Sequence, residues 1–267
     1  MDKINPKKPV ILVFAGHDPS GGAGIQADIE SIAVAGCHAT TVMTTLTQQN
    51  TMNFSGHHPQ NINNFILQTR LILEDFDISA IKIGVVGSEK LVNAIAELLI
   101  ELKNIPVVLD PVIKSSSGYI FSDFDLCKNL TEKLFPLITI ATPNIIEAKT
   151  LAGIEGTLDN IAERLLSRGG EYILITDTHD SAEQVVNTLY SKDKPPVNFE
   201  YQRLAGEFHG SGCTLSSSIA AHLALGCSME DAVKTALNYT WECLNHALSF
   251  GSGVKLPNRV RSHIKDN

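Results

Sequence analysis

The 267-residue sequence has no run of lysine or arginine, no CxxC pair, and no apolar stretch near the ~18 residues of a membrane span. Its 21 Lys and Arg face 29 Asp and Glu, for a formal net charge of −8, so no basic stripe exists to hold nucleic acid. The five cysteines, Cys37, Cys127, Cys213, Cys227 and Cys243, are scattered and odd in number, which suggests neither a zinc site nor a disulfide framework and fits a reducing, cytoplasmic location. Residues 1–9 are polar and too short for a signal peptide, so no membrane partner is expected. Charged residues make up only 19% against 43% hydrophobic, an ordinary globular balance rather than that of a disordered chain. No internal repeat and no linker interrupts the sequence, so one domain is expected over residues 1–267.

The most informative stretch is Gly210-Ser211-Gly212-Cys213-Thr214-Leu215-Ser216. It reads as a small-residue turn opening a helix, with Leu215, Ile219 and Leu223 recurring on one face and Gly226 at the end. A helix that starts in a glycine turn presents bare N–H groups and a positive dipole end, which suits an anion such as phosphate. Cys213 at that end is expected to have a lowered pKa. The same residues also read as a closely packed helix start with Cys213 an inert buried thiol.

The chain before it alternates strands and helices. A buried strand over residues 10–15 runs into a glycine loop, 16–24, followed by a helix with Ile25, Ile29 and Ile32 on one face. The loop is neither a Walker A loop, lacking Lys-Ser/Thr after the second glycine, nor GxGxxG. Asp28 either faces the same space as the loop or lies on a solvated face. A strand at 39–46 ends in Thr47-Gln48-Gln49-Asn50-Thr51, amides that suit a heteroaromatic ring or merely cap a loop. His57 and His58 read as surface loop residues. Helices are expected at 62–73 and 89–102, and strands at 80–86, 106–112, 137–141 and 172–176. Asp110 closes one of these strands and can reach metal-bound phosphates. Residues 114–118 read as a mobile polar loop. Asn144 and Glu147 share a face at a helix start, either as ligands of hydrated Mg2+ or as a plain helix cap. Residues 187–191 and 198–203 form a β-hairpin leading into the Gly210 turn, and a last helix opens at Ser228 and runs to about residue 248. The alternation predicts an α/β fold with a mostly parallel sheet and helices on both faces, in which Asp18, Gln49, Asp110, Asn144 and the Gly210 turn converge at one edge.

These motifs resemble those of the hydroxymethylpyrimidine/phosphomethylpyrimidine kinases of thiamine biosynthesis, within the ribokinase-like superfamily. The match lies in GHDPSGGAGIQAD from Gly16 to Asp28, TQQNT from Thr47, LDPV from Leu109, TPNIIEA from Thr142 and HGSGCTLSSSIAA from His209, in order over nearly the whole chain. The resemblance implies a ribokinase-like fold and phosphorylation of a primary alcohol on a heteroaromatic ring by Mg-ATP. It makes Cys213 the general base and the N–H groups of Gly210, Ser211 and Gly212 the anion hole. It places Gln49, Asp28, Gly16 and Val85 around the ring, Asp110, Asn144, Thr176 and His209 near ATP and its phosphates, and Glu147 with Asp110 at Mg2+. It also implies a homodimer. The sequence departs from the family pattern with Thr176-Asp177-Thr178-His179 in place of Lys-Gly-Gly-His, with His17 and Phe208 for hydroxyl residues, and with Val85 for Met. These departures bear on phosphorylation of the monophosphate more than of the free alcohol. The alternatives are a pyridoxal or pyridoxine kinase, which Thr176 fits, and a non-catalytic vitamin-binding protein.

Overall fold

The computed structural model describes residues 7–114, 119, 121, 124–176 and 183–260. Nine strands form one sheet: β1 (Val10–His17), β2 (His38–Gln49), β3 (Phe54–Pro59), β4 (Ile78–Ile83), β5 (Val107–Leu109), β6 (Ile140–Ala141), β7 (Tyr172–Ile175), β8 (Gln184–Ser191) and β9 (Val197–Gln202). Their order is β3-β2-β1-β4-β5-β6-β7-β8-β9. The six strands from β2 to β7 in that order are parallel, β3 caps one edge antiparallel, and the β8–β9 hairpin extends the other. The expected hairpin is therefore part of the main sheet. No helix of the described residues is long and apolar enough to cross a membrane.

β1 is buried on both faces, and its alternation decides which side each residue serves. Leu12 and Phe14 enter a core with α2 (Ile62–Asp75), α3 (Glu89–Glu101), α4 (Phe124–Asn129), α5 (Ile145–Ala152) and α6 (Leu158–Leu166). Ile11, Val13 and Ala15 enter the opposite core with α1 (Gly24–Val34), α7 (Ser211–Ala224) and α8 (Met229–Asn245). Helices on both faces are what a buried parallel sheet requires.

Several local expectations change. Ile29 is 42% exposed, so the apolar face of α1 is carried by Ile25 and Ile32. Thr47, Gln48 and Gln49 lie inside β2 rather than beyond it, because β3 pairs with them. His57 lies on β3, its ring edge-on to Tyr119 and Phe121, and not in a surface loop. Residues 115–118 of the expected mobile loop, and Asp177 to His179, lie outside the described residues.

The chain leaves β1 for β2 on one side and later returns to β4 on the other, so strand order reverses between β1 and β4. Such a switch point opens a crevice at the carboxyl ends of the strands. Gly16, at the end of β1, packs there so closely that an added Cβ would lie 2.7 Å from Val85 Cγ1.

Candidate active site

A cavity of about 440 Å³ opens at this edge. Gly16, Gln49, Val85, Asp110, Asn144, Glu147, Thr176, His209 and the whole turn from Gly210 to Cys213 line it. Of the residues singled out from sequence only Asp28 is absent from the lining. It is fully buried one layer down, where its Oδ1 accepts hydrogen bonds from Lys82 Nζ at 2.8 Å and Ser217 Oγ at 2.7 Å. It acts on the cavity through Lys82, which does line it.

The turn before α7 depends on its first glycine. Gly210 has φ +90°, and a Cβ there would come within 1.9 Å of the Gly22 carbonyl oxygen. No side chain caps α7, so the N–H groups of its first turn remain for a ligand. The glycine loop is tied to this turn by His209, whose Nε2 lies 2.9 Å from Asp18 Oδ2. Asp18 also accepts from Ser20 N and Ala23 N, both at 2.9 Å. Burial alone would raise the Asp18 carboxyl, but the hydrogen bonds from His209 and Ser20 together hold it below the usual carboxylate range.

Cys213 does not meet the expectation of a lowered pKa. Burial pushes its thiol up to about 12; Lys82 pulls it down, but the charges of Asp110 and Asp28 add to the rise. Asp110, close by, is itself raised by burial, which Lys82 opposes and Asp28 reinforces. Three acids therefore share one ammonium group. Lys82 is fully buried and held charged, its pKa raised by Asp28, Cys213 and Asp110 in spite of burial. Asp28 Oδ2 has no hydrogen-bond partner among the described residues.

At α5 both sequence readings of Asn144 and Glu147 have a structural counterpart. Asn144 Oδ1 accepts from the N–H groups of Ile146 and Glu147, both at 2.9 Å, while Glu147 Oε2 accepts from Asn144 N at 3.0 Å. This is a complete capping box. Glu147 still faces the cavity, where burial and the Asp110 charge raise its pKa to about 8. A carboxyl destabilised in this way is suited to a cation. Among the described residues no three His, Cys, Asp or Glu side chains cluster as a metal site. Two carboxylates on an open cavity match Mg2+, which keeps several waters and shares its coordination with phosphates. Thr176 pairs its backbone beside Asn144.

Beyond the turn the cavity continues between the β8–β9 hairpin and α8, walled by Val185, Leu204, Leu237, Trp241 and Leu244. Sequence reasoning left this apolar section unassigned because it carries no motif. It also missed Lys82, although one charge inside the apolar run 80–86 was a legible signal: a lysine in a buried strand must be paired.

A six-stranded parallel core with helices on both faces, a glycine loop and an uncapped helix turn at its carboxyl edge define a ribokinase-like small-molecule kinase fold. The chain belongs to the phosphomethylpyrimidine kinase family, whose family model matches residues 18–258. It is 31% identical over 251 residues to the hydroxymethylpyrimidine/phosphomethylpyrimidine kinase of Haemophilus influenzae, covering 91% of this chain and 93% of that one. The enzyme of the same name from Mycobacterium tuberculosis is 34% identical over 253 residues, covering 92% and 91%. Among solved structures, the phosphomethylpyrimidine kinase of Clostridium difficile is 34% identical with a TM-score of 0.77, covering 89% of this chain and 100% of that one. The pyridoxal kinase of Staphylococcus aureus in complex with pyridoxal has a TM-score of 0.86 at 22% identity over 96% of both chains, a likeness of fold.

Proposed function

We propose that the chain, acting as a single kinase domain, transfers a phosphoryl group from Mg-ATP to the hydroxymethyl oxygen of 4-amino-5-hydroxymethyl-2-methylpyrimidine, in thiamine biosynthesis. The carrying observation is one cavity with an amide side chain, Gln49, and the uncapped α7 turn with Cys213 on its walls. Gln49 Nε2 is 3.0 Å from Thr47 Oγ1, which fixes the amide for a ring that carries both donors and acceptors. Gly16 and Val85 line the ring on the cavity wall, where no side chain larger than hydrogen fits at position 16.

The alcohol oxygen gains the phosphoryl group and loses its proton. Cys213 Sγ, in its ionised form beside the Lys82 ammonium, takes that proton as the S–H bond forms and the alcohol O–H bond breaks. Burial raises the thiol, so Lys82 is the group that makes this form accessible. The N–H groups of Gly210, Ser211 and Gly212 face the charge on the transferring group. Asp110 and Glu147 would hold Mg2+, which would supply positive charge against the phosphates. Asn144 and Thr176 border the phosphates. His209 acts mainly through Asp18, setting the glycine loop, and the apolar section at Trp241 takes the adenine.

The exposed apolar side chains Ile29 and Val34 on α1, with Met43 and Leu46 on the adjoining β2, support a homodimer through this side. The five cysteines, all free, support a cytoplasmic location. A pyridoxal kinase is the second reading, favoured by Thr176 at the phosphate edge, where the family pattern has lysine.

The test is ADP release with Mg-ATP against the pyrimidine alcohol, its monophosphate, pyridoxal and pyridoxine. Turnover of both pyrimidines is expected. Turnover of a pyridine alcohol alone would replace the proposal with the second reading. Ring binding without any ADP release would leave a vitamin-binding protein.

A further inference from the structure

Residues 251–259 carry no catalytic motif, yet they hydrogen-bond to the end of β2, to the residue before the Gly210 turn and to the glycine loop. Val254 N donates to Thr51 O at 3.0 Å, and Gly253 N to Thr51 Oγ1 at 3.2 Å, just past the β2 amides. Lys255 O then accepts from His209 N at 3.1 Å, directly before the Gly210 turn. The segment is fixed to α8 by Asn258 N donating to Cys243 O at 3.0 Å and by Tyr239 Oη donating to Arg259 O at 3.0 Å. It thus bridges the ring end and the phosphoryl end of the cavity and stops behind the turn.

Arg259 ends this strap. It is 3% exposed, and its guanidinium is shared between side chains and backbone around the site. Nε donates to Thr214 Oγ1 at 2.8 Å, and Thr214 Oγ1 donates to the Gly210 carbonyl at 2.8 Å. One terminal nitrogen reaches Gly21 O at 3.4 Å and Glu30 Oε2 at 3.2 Å, and the other donates to Gly22 O. The planar fork therefore fixes the distance between the glycine loop and the α7 turn, which a single ammonium point charge cannot do. Gly210 is packed between Gly22 O and this guanidinium, so any shift of Arg259 is passed to the anion hole.

We infer that Arg259 is a positioning residue for phosphoryl transfer, holding the Gly210–Cys213 turn in register with the Gly21–Gly22 loop. The inference rests on the kinase reading above. The family model's match ends at residue 258, one position before it. The arginine is not among the residues lining the cavity, so its loss is expected to act through the turn on the chemical step. A misplacement of about 1 Å at a reacting group costs on the order of 10²-fold in rate.

The experiment compares the full-length chain with Arg259→Lys, Arg259→Met and Arg259→Ala in kcat, KM for the pyrimidine alcohol and unfolding midpoint. The expected result is a kcat loss on the order of 10²-fold in all three, with KM for the alcohol unchanged and the Lys variant folded. Added guanidinium should recover part of kcat in Arg259→Ala and none in Cys213→Ala. A folded Lys or Met variant with normal kcat overturns the inference, as does a rise in KM at normal kcat. If the Arg259 variants do not fold, Thr214→Val carries the test, since it breaks only the link from Arg259 to the Gly210 carbonyl. Loss of kcat at constant KM supports the role, and unchanged kcat overturns it. Absence of turnover in the unaltered chain would instead overturn the kinase reading, and this role with it.

Discussion

Helices α5 and α7 both begin at the carboxyl edge of the sheet and both line the same cavity, yet their N-termini are built in opposite ways. At α5 the donors are spent on Asn144 Oδ1, and Glu147 reaches back to close the box. At α7 the residue just before the helix, Gly210, is in the left-handed region, and no side chain caps the helix. A helix end binds an anion only if its N–H groups are free. The α5 end offers a carboxylate suited to a cation, and the α7 end offers donors suited to an anion. Their nearby carboxylates follow suit: donors hold Asp18 below its ordinary range, while burial and Asp110 lift Glu147 to about 8.

The largest effect should come from the α7 end. Cys213→Ala removes the proposed proton acceptor at the open terminus, and a positioned acid or base is worth roughly 10²–10⁴-fold. We expect a kcat loss in that range with ring affinity retained, measured by turnover and by equilibrium titration of the ring. Near-normal kcat would mean that Asp110 takes the proton directly.

The α7 turn also rests on a fully buried ion pair, Lys82 with Asp28. Lys82→Met leaves Asp28 and Asp110 uncompensated, and breaking a buried pair from one side costs about 3–5 kcal/mol. Denaturant unfolding should show this loss. Lys82→Met combined with Asp28→Leu should recover most of the stability while leaving turnover low, because Cys213 and Asp110 still lack their positive neighbour. Recovery of both would make the pair purely structural.

The fold was legible because parallel strands read as apolar runs and helices as spaced apolar faces. The site was legible where chemistry sits in local motifs: Gly210–Cys213, Gln49, Asp110 and Asn144–Glu147 all face the cavity. What escaped was set by tertiary partners. Asp28 reads as a lining carboxylate until Lys82, 54 residues away, takes its oxygen. Cys213 reads as an activated thiol because helix position is visible in sequence, whereas the two acids beside it are not. Arg259 lies in a tail without periodicity, and two of its acceptors are backbone carbonyls 237 and 238 residues away. β3 was hidden because its strand, FSGHHP, has glycine and polar residues where a buried strand would have aliphatic ones.

A smaller effect is expected at α5. Asn144→Ala opens the capping box and should cost about 1 kcal/mol of stability, the usual value of such a cap. Turnover should fall far less than in Cys213→Ala. An equal fall in kcat would break the contrast between the termini, since it would give the capped end a direct part in phosphoryl transfer.

The smallest effect concerns the carboxylate that anchors the open end. Asp18 has a folded pKa below its unfolded value of 3.8. The folded state therefore prefers the ionised form, and the stability this provides is complete above the unfolded value. It is lost as pH falls through the folded value, where both states bind the proton. Asp18→Asn removes that dependence. The variant should be less stable than the unaltered chain at neutral pH and should converge towards it in acid, as read from denaturant midpoints at successive pH values below about 4. Parallel curves would show that the His209 and Ser20 bonds do not distinguish carboxylate from amide. The open terminus would then owe its placement to the backbone of the glycine loop rather than to the charge of Asp18.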